Sequence, residues 1–222
     1  MNNVFMIWFG DEMPETRKNS IEQFEKVSET NVVLITDENV GDYILDSEPL
    51  HPAFQYLSLV HRADYLRTYL MNFHGGAYSD VKPTTGSWLE SFEKLNDSDD
   101  KWAIGYREIN KRAVCFPTGN KRFRKCWHQL IGVCAFICKP QTDFTKCWYN
   151  QMISLLDEKH KELEAHPARP HVANDRADLP TSHTRYPMYW NEMLGRIFHP
   201  LSYEYRNKLL KTLPKPIFKD YK

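Results

Sequence analysis

Val4-Phe5-Met6-Ile7-Trp8-Phe9 is an unbroken apolar run near the start of the chain, closed by Gly10-Asp11. A strand with one wet face alternates apolar and polar residues, so a run without alternation has to be covered on both sides, as in a parallel α/β sheet. The next segments agree with that reading. Pro14 opens a helical stretch with Ile21, Phe24 and Val27 spaced by three, and Asn31 leads into Val32-Val33-Leu34-Ile35, ending at Thr36-Asp37. Strand, helix and strand in this order form a βαβ opening and predict an α/β fold.

Tyr56, Leu59, Ala63, Leu66, Leu70 and Phe73 recur at three and four, which predicts one helix from Pro52 to Phe73. Gly75-Gly76 follows where a helix end wants positive φ. Ala77 to Lys82 reads as a short strand cut off by Pro83, with Asp80 at its end. Ser87 and Glu90 make a capping box for a helix carrying Trp88, Leu89 and Phe92, closed by the polar run Asn96 to Asp100. Short β-like runs follow at Trp102 to Tyr106, Ala113 to Phe116 and Leu130 to Cys138. A helix from Phe144 to about Leu163 takes Asp143 as its N-cap. Residues 165 to 187 hold Pro167, Pro170, Pro180 and Pro187 with little apolar content, and predict a long loop of the kind that serves as a lid or substrate loop.

At 222 residues, 41% of them hydrophobic, the chain suits one domain with one sizeable core. Its 29 basic and 29 acidic side chains cancel, so no global field draws it to nucleic acid, and an anionic ligand needs a local site. The basic run Lys121 to Lys125 carries no nucleic-acid motif and reads as a solvated surface turn. The N-terminus has no basic region before its short apolar run, which argues against a signal peptide or a transmembrane span. Five cysteines without a CxxC pair read as reduced core thiols of a cytoplasmic protein.

The stretch His61-Arg62-Ala63-Asp64-Tyr65-Leu66-Arg67, running on to His74-Gly75-Gly76-Ala77-Tyr78-Ser79-Asp80, carries the chemistry. Asp64 and Arg67 lie three apart on a helix and share a face near its apolar stripe. They form either a buried structural ion pair or a carboxylate and a guanidinium presented to a sugar. The stretch resembles the GT-A glycosyltransferases with a DXD sugar-binding motif, a group that includes initiating mannosyltransferases, capsular polysaccharide synthesis proteins and, distantly, glucosylating toxins. Their pattern of Arg or Ser, Asp, an Arg three later and then GG-x-Y-x-D-x-D is matched in register from Arg62 to Asp80. Ile7-Trp8-Phe9-Gly10 is similar to their first strand, and Tyr186-Pro187 to Phe198-His199-Pro200 to their closing segment near the diphosphate.

The resemblance implies a GT-A fold, a mostly parallel central sheet flanked by helices. Residues 1–82 would be the nucleotide-sugar-binding half and 83–222 the acceptor-side half. It implies a hexosyl- or pentosyltransferase that uses a UDP- or GDP-linked sugar as donor and a glycan or other hydroxyl as acceptor in polysaccharide biosynthesis. Donor contacts would come from Trp8, Phe9, Asp37, Arg62, Asp64, Arg67, Asp80 and Lys82. Asp80 and His199 would hold Mn²⁺ or Mg²⁺. Trp8 stacks on the base or packs in the core; Asp37 sits at a carboxyl strand end where open α/β sheets bind ligands, or caps a helix. Glu192 and Asp175 are the general-base candidates.

The second aspartate of the motif is Lys82 here. On a continuing strand Asp80 and Lys82 would point to one side, roughly 7 Å apart at about 3.3 Å per residue. That exchange removes a metal ligand and supplies a cation where the leaving diphosphate gains charge, so metal dependence is open. It also motivates an alternative, a non-catalytic nucleotide-sugar-binding protein. A sugar nucleotidyltransferase is disfavoured, because Gly10-Asp11-Glu12 is too acidic and too poor in glycine for a phosphate loop.

Overall fold

The computed structural model describes residues 2–116, 121–169 and 185–219. Its centre is a six-stranded sheet built from β1 (Asn3–Ile7), β2 (Asn31–Ile35), β3 (Gly76–Ser79), β4 (Ala103–Arg107), β5 (Ile131–Cys138) and β6 (Leu209–Leu210), in the order β2-β1-β3-β5-β4-β6. β1 is parallel to β2 and β3, and β4 to β6, whereas β5 runs antiparallel between β3 and β4. Parallel pairings predominate, as expected for this α/β fold, but the sheet is mixed. Because β5 inserts beside β3, the two halves expected at residue 82 share one sheet.

Helices cover both faces. α1 (Glu15–Ser28) and α3 (Leu89–Asn96) lie on one, where Val4 and Met6 of β1 meet Phe24, Trp88 and Phe92. α2 (Leu59–Phe73), α4 (Asp143–Ala165) and α5 (Gly195–Glu204) lie on the other, where Phe5 and Ile7 join Tyr65, Leu66, Phe136, Trp148 and Phe198. Alternate side chains of β1 thus enter two separate cores, which is why its sequence has no polar face. Trp148 and Phe198 meet edge to face at 4.7 Å, and Phe24 and Trp88 at 4.9 Å.

Several boundaries differ from the expectation. The single helix over 52–73 is two elements, a 3-10 turn at Pro52–Tyr56 and α2. Leu57 is extended, and the Ser58 hydroxyl accepts the His61 N–H as a fresh N-cap, so the apolar spacing runs across a break. α2 ends as predicted, with Gly75 and Gly76 at φ +66° and +83°. β3 stops at Ser79, three residues short of the predicted strand end.

Trp88, not Ser87, occupies the cap of α3; its indole is drawn inward to donate to Thr84 Oγ1. Thr142, not Asp143, caps α4 by accepting the Thr145 N–H. The strand expected at 113–116 does not form, because the Asn110 side chain gathers the N–H groups of Arg112 and Ala113 into a turn. Lys121–Gln129 is a 3-10 helix, not a turn. Of the long loop, residues 170–184 lie outside the described residues. Its ends are anchored, Ala168 N–H to Tyr56 O and the Tyr186 hydroxyl to Ser58 and His61. Among the described residues every cysteine is unpaired, and of the five only Cys138 is fully buried. No helix among them is long and apolar enough to cross a membrane.

Candidate functional site

α1 and α2 leave β1 and β2 on opposite faces, so the strand order reverses between β1 and β3, the kind of switch point beside whose carboxyl strand ends open α/β sheets bind ligands. The chain leaves β1 through Trp8 to Gly10. The Gly10 N–H is held by Asp37 Oδ2 at 2.8 Å, tying the end of β1 to the end of β2. Gly10 has φ +87°, and a Cβ there would lie 2.5 Å from the Leu59 side chain, so this turn needs glycine. Beside it lies a cleft of about 520 Å³ lined by Trp8, Lys18, Ile21, Leu34, Asp37 and Glu38. The Trp8 indole donates to Asp11 O at 2.9 Å, which fixes the ring while leaving it half-exposed at the cleft. Phe9 turns the other way, into the core.

The second part of the site is a chain of charges. Helical spacing puts Asp64 and Arg67 on one face of α2, and Arg67 Nη2 lies 3.2 Å from Asp64 Oδ1. Its other nitrogen, Nη1, is 3.4 Å from Asp80 Oδ1 and donates to Val133 O at 3.1 Å. The guanidinium also lies over the Tyr78 ring, 4.3 Å from its centroid. Tyr78 donates its hydroxyl to Asp80 Oδ1 at 3.0 Å, and Lys82 Nζ donates to Asp80 Oδ2 at 2.5 Å.

The separation of roughly 7 Å expected for Asp80 and Lys82 on a strand therefore does not hold for their charged ends. Past Ser79 the backbone folds back, Lys82 N–H bonding Asp80 O at 2.7 Å, and the lysine tip returns to the carboxylate. Burial works against ionising Asp80, but the Lys82 ammonium and Arg67 guanidinium prevail and hold its carboxyl well below the usual range. Asp64 goes the other way, pushed up to about 7 by burial against the pull of Arg67, with the charge of Asp80 adding to the rise.

Of the remaining expected residues, Arg62, Glu192 and His199 make their contacts outside this cluster. Arg62 donates to Gln55 O at 2.9 Å and rides over Phe54. Glu192 accepts the Tyr189 N–H at 2.9 Å and faces Arg196 at 4.0 Å. Asp175 lies outside the described residues. His199 has both ring nitrogens engaged: Nδ1 accepts the Cys115 N–H at 3.0 Å, so Nε2 carries the proton donated to Glu108 Oε2 at 3.0 Å. Among the described residues no three His, Cys, Asp or Glu side chains are grouped to hold a metal. Asp80, the carboxylate at the turn, has both oxygens committed to donors, so the described residues do not present a ready divalent-metal site.

Sequence reasoning gave no role to Tyr78 or His61, although both fall in the same stretch. His61 is buried. Its Nε2 donates to Tyr189 O at 3.1 Å, and Nδ1 accepts the Tyr186 hydroxyl at 2.7 Å. It thereby clamps α2 to the segment after the long loop. Burial lowers its pKa to about 4, with the backbone bonds opposing. Because the folded value lies below the unfolded one, this group's contribution is complete above pH 6.5 and is lost as pH falls toward 4. The shift corresponds to on the order of 3 kcal/mol. Urea unfolding near pH 7 and near pH 4.5 should show that loss in the native chain and not in His61→Gln. Equal pH slopes in both would assign the acid sensitivity to other groups.

Residues 1–87 match the family model described as capsular polysaccharide synthesis protein. The matched segment contains both parts of the site, from Trp8 and Asp37 to Asp64, Arg67, Asp80 and Lys82, and ends before Glu108, Glu192 and His199. Among solved structures, one named PaToxG Glycosyltransferase matches at 16% identity and a TM-score of 0.45. The alignment covers 73% of this chain and 63% of that one. No curated protein matches at a significant level.

Proposed function

We propose that this chain is a glycosyltransferase that moves a hexose or pentose from a UDP- or GDP-linked sugar to a hydroxyl of a glycan or similar acceptor. The observation that carries the reading is the Asp64–Arg67–Asp80–Lys82 cluster at the carboxyl end of β3, inside the segment that matches the capsular polysaccharide synthesis family. Leaving of a nucleoside diphosphate builds negative charge on its β-phosphate, and a guanidinium and an ammonium held in a partly dry site are suited to stabilise it. Carboxylates accept hydrogen bonds from sugar hydroxyls, a role open to Asp64 and Asp80. The Trp8 cleft, apolar on Ile21 and Leu34 and acidic on Asp37 and Glu38, has the stacking face and acceptors that a nucleoside uses.

The same ion pair supports a second reading, a nucleotide-sugar-binding protein without turnover, since Lys82 closes the free edge of Asp80. Both readings predict binding and only the first predicts donor hydrolysis. A thermal-shift panel of UDP- and GDP-sugars comes first, because a ligand at about 100 times its Kd adds about 2.7 kcal/mol. One class of donor should raise Tm, and Trp8→Ala should weaken it by about tenfold through lost stacking. A panel in which no donor shifts Tm would remove the nucleotide-sugar reading. Slow release of free sugar from the bound donor then separates transferase from binding protein.

A further inference from the structure

We infer that Lys82, with Arg67, takes the place of a divalent cation at the donor diphosphate, so that nucleotide binding at this site needs no metal. The inference rests on the nucleotide-sugar reading above and adds the means by which the diphosphate is neutralised. Asp80 offers two oxygens, and they are not equivalent. Oδ1 has two donors, the Tyr78 hydroxyl at 3.0 Å and Arg67 Nη1 at 3.4 Å, while Oδ2 faces Lys82 at 2.5 Å. A lysine tip that moves from Oδ2 to a phosphate oxygen leaves Asp80 still paired on its other side. The stem that permits this motion starts two residues beyond Asp80 and places the ammonium 5.9 Å from the Phe218 ring centroid.

A divalent ion has a much harder route to the same place. It would have to displace an ammonium from one oxygen and lie beside a guanidinium on the other. Both are like-charge repulsions at close range in a partly buried site, where solvent screens them less than at the surface. Nor, among the described residues, is there a group of three His, Cys, Asp or Glu side chains to complete a shell. Asp64 is bound to Arg67, and His199 and Glu108 are bound to each other. In charge, Asp80 offsets one of the two cations before any ligand arrives, and Asp64, its pKa pushed up to about 7 by burial, only partly offsets the other. A diphosphate therefore meets a cation that is already partly dehydrated and already placed, with 11% of its side chain exposed.

The test is calorimetric titration of the full chain with UDP and with GDP, in excess EDTA and in saturating Mn²⁺. The nucleotide that binds should do so in EDTA within about threefold of its affinity in Mn²⁺, a difference of well under 1.4 kcal/mol. Lys82→Met should weaken binding in EDTA by roughly tenfold to a hundredfold, the worth of a charge-assisted hydrogen bond. Lys82→Arg should keep metal-free binding, and Lys82→Asp should make binding depend on Mn²⁺. Native binding that occurs only with Mn²⁺ would overturn the inference and leave the nucleotide-sugar reading standing. Unchanged binding by a folded Lys82→Met chain in EDTA would overturn it too. No binding of either nucleotide in any condition would sink the nucleotide-sugar reading and this inference together. The native comparison requires no variant, so a misfolded Lys82→Met leaves a decisive result in hand.

Discussion

Asp80→Asn is expected to lower sugar transfer by at least about a hundredfold, the loss of roughly 3 kcal/mol of transition-state interaction, and to destabilise the fold as well. From the sequence, the effect would fall on activity alone, since asparagine keeps the shape of aspartate and removes its charge. The structure adds the second consequence. Asp80 sits between Arg67 at 3.4 Å and Lys82 at 2.5 Å, and their side chains are 8% and 11% exposed. An amide in its place accepts at one atom and turns an NH₂ toward a cation at the other. Breaking a buried pair by removing one partner costs about 3 kcal/mol, because the remaining charges lose their compensation. For a chain of this size, that corresponds to a fall in Tm of about 6–12 °C. Differential scanning calorimetry and donor turnover on the same preparation measure both effects. Native Tm and more than about a tenth of native turnover would take Asp80 out of the centre of the site.

Arg67→Lys is the second large effect, and it separates a structural role from a catalytic one. The guanidinium meets four groups at once: Asp64, Asp80, the Val133 carbonyl and the face of Tyr78. A lysine ammonium is a point donor on a flexible stem and cannot hold two carboxylates 3.2 and 3.4 Å from separate nitrogens while lying flat on a ring. A stability loss of about 3 kcal/mol is expected in denaturant unfolding, with a fall in kcat/KM of about a hundredfold. The Asp64→Asn and Arg67→Lys changes should be markedly non-additive in stability, since they remove the two ends of one contact. Lowered stability with unchanged kinetics would reduce Arg67 to a tie between α2 and the turn after β3.

Much of this was legible in the sequence because the deciding physics is local. An unbroken apolar run announces a strand covered on both faces, and β1 does send alternate side chains into two cores. Spacing of three on a helix forces Asp64 and Arg67 onto one face wherever that helix packs. Paired glycines after Phe73 and His74 mark the positive φ that lets the chain turn back into β3. The capping differences have a local cause as well: Thr142 caps α4 beside Asp143 and Ser58 starts α2 afresh within the 52–73 spacing, whereas Trp88 holds the α3 cap position without a side-chain cap bond and the Ser87 hydroxyl still accepts the Leu89 N–H at 3.3 Å.

Only the tertiary structure decided the rest, and in each case the missing partner is distant in sequence. β5 takes its place between β3 and β4 through hydrogen bonds formed far along the chain, and no periodicity in β3 encodes an antiparallel neighbour. Glu108 and His199 meet across 91 positions, which places His199 in a buried hydrogen-bonded pair that no local pattern announces. Asp80 and Lys82 are two residues apart, and even their relation was not fixed by spacing. Cys134 of β5 accepts the Asp80 N–H at 2.8 Å, while the Lys82 N–H bonds back to Asp80 O at 2.7 Å. The ladder has by then ended, so the alternation of a strand no longer governs where the lysine points. The sequence determined which charges this site would contain; whether they face a ligand separately or hold one another depended on where the strand stopped.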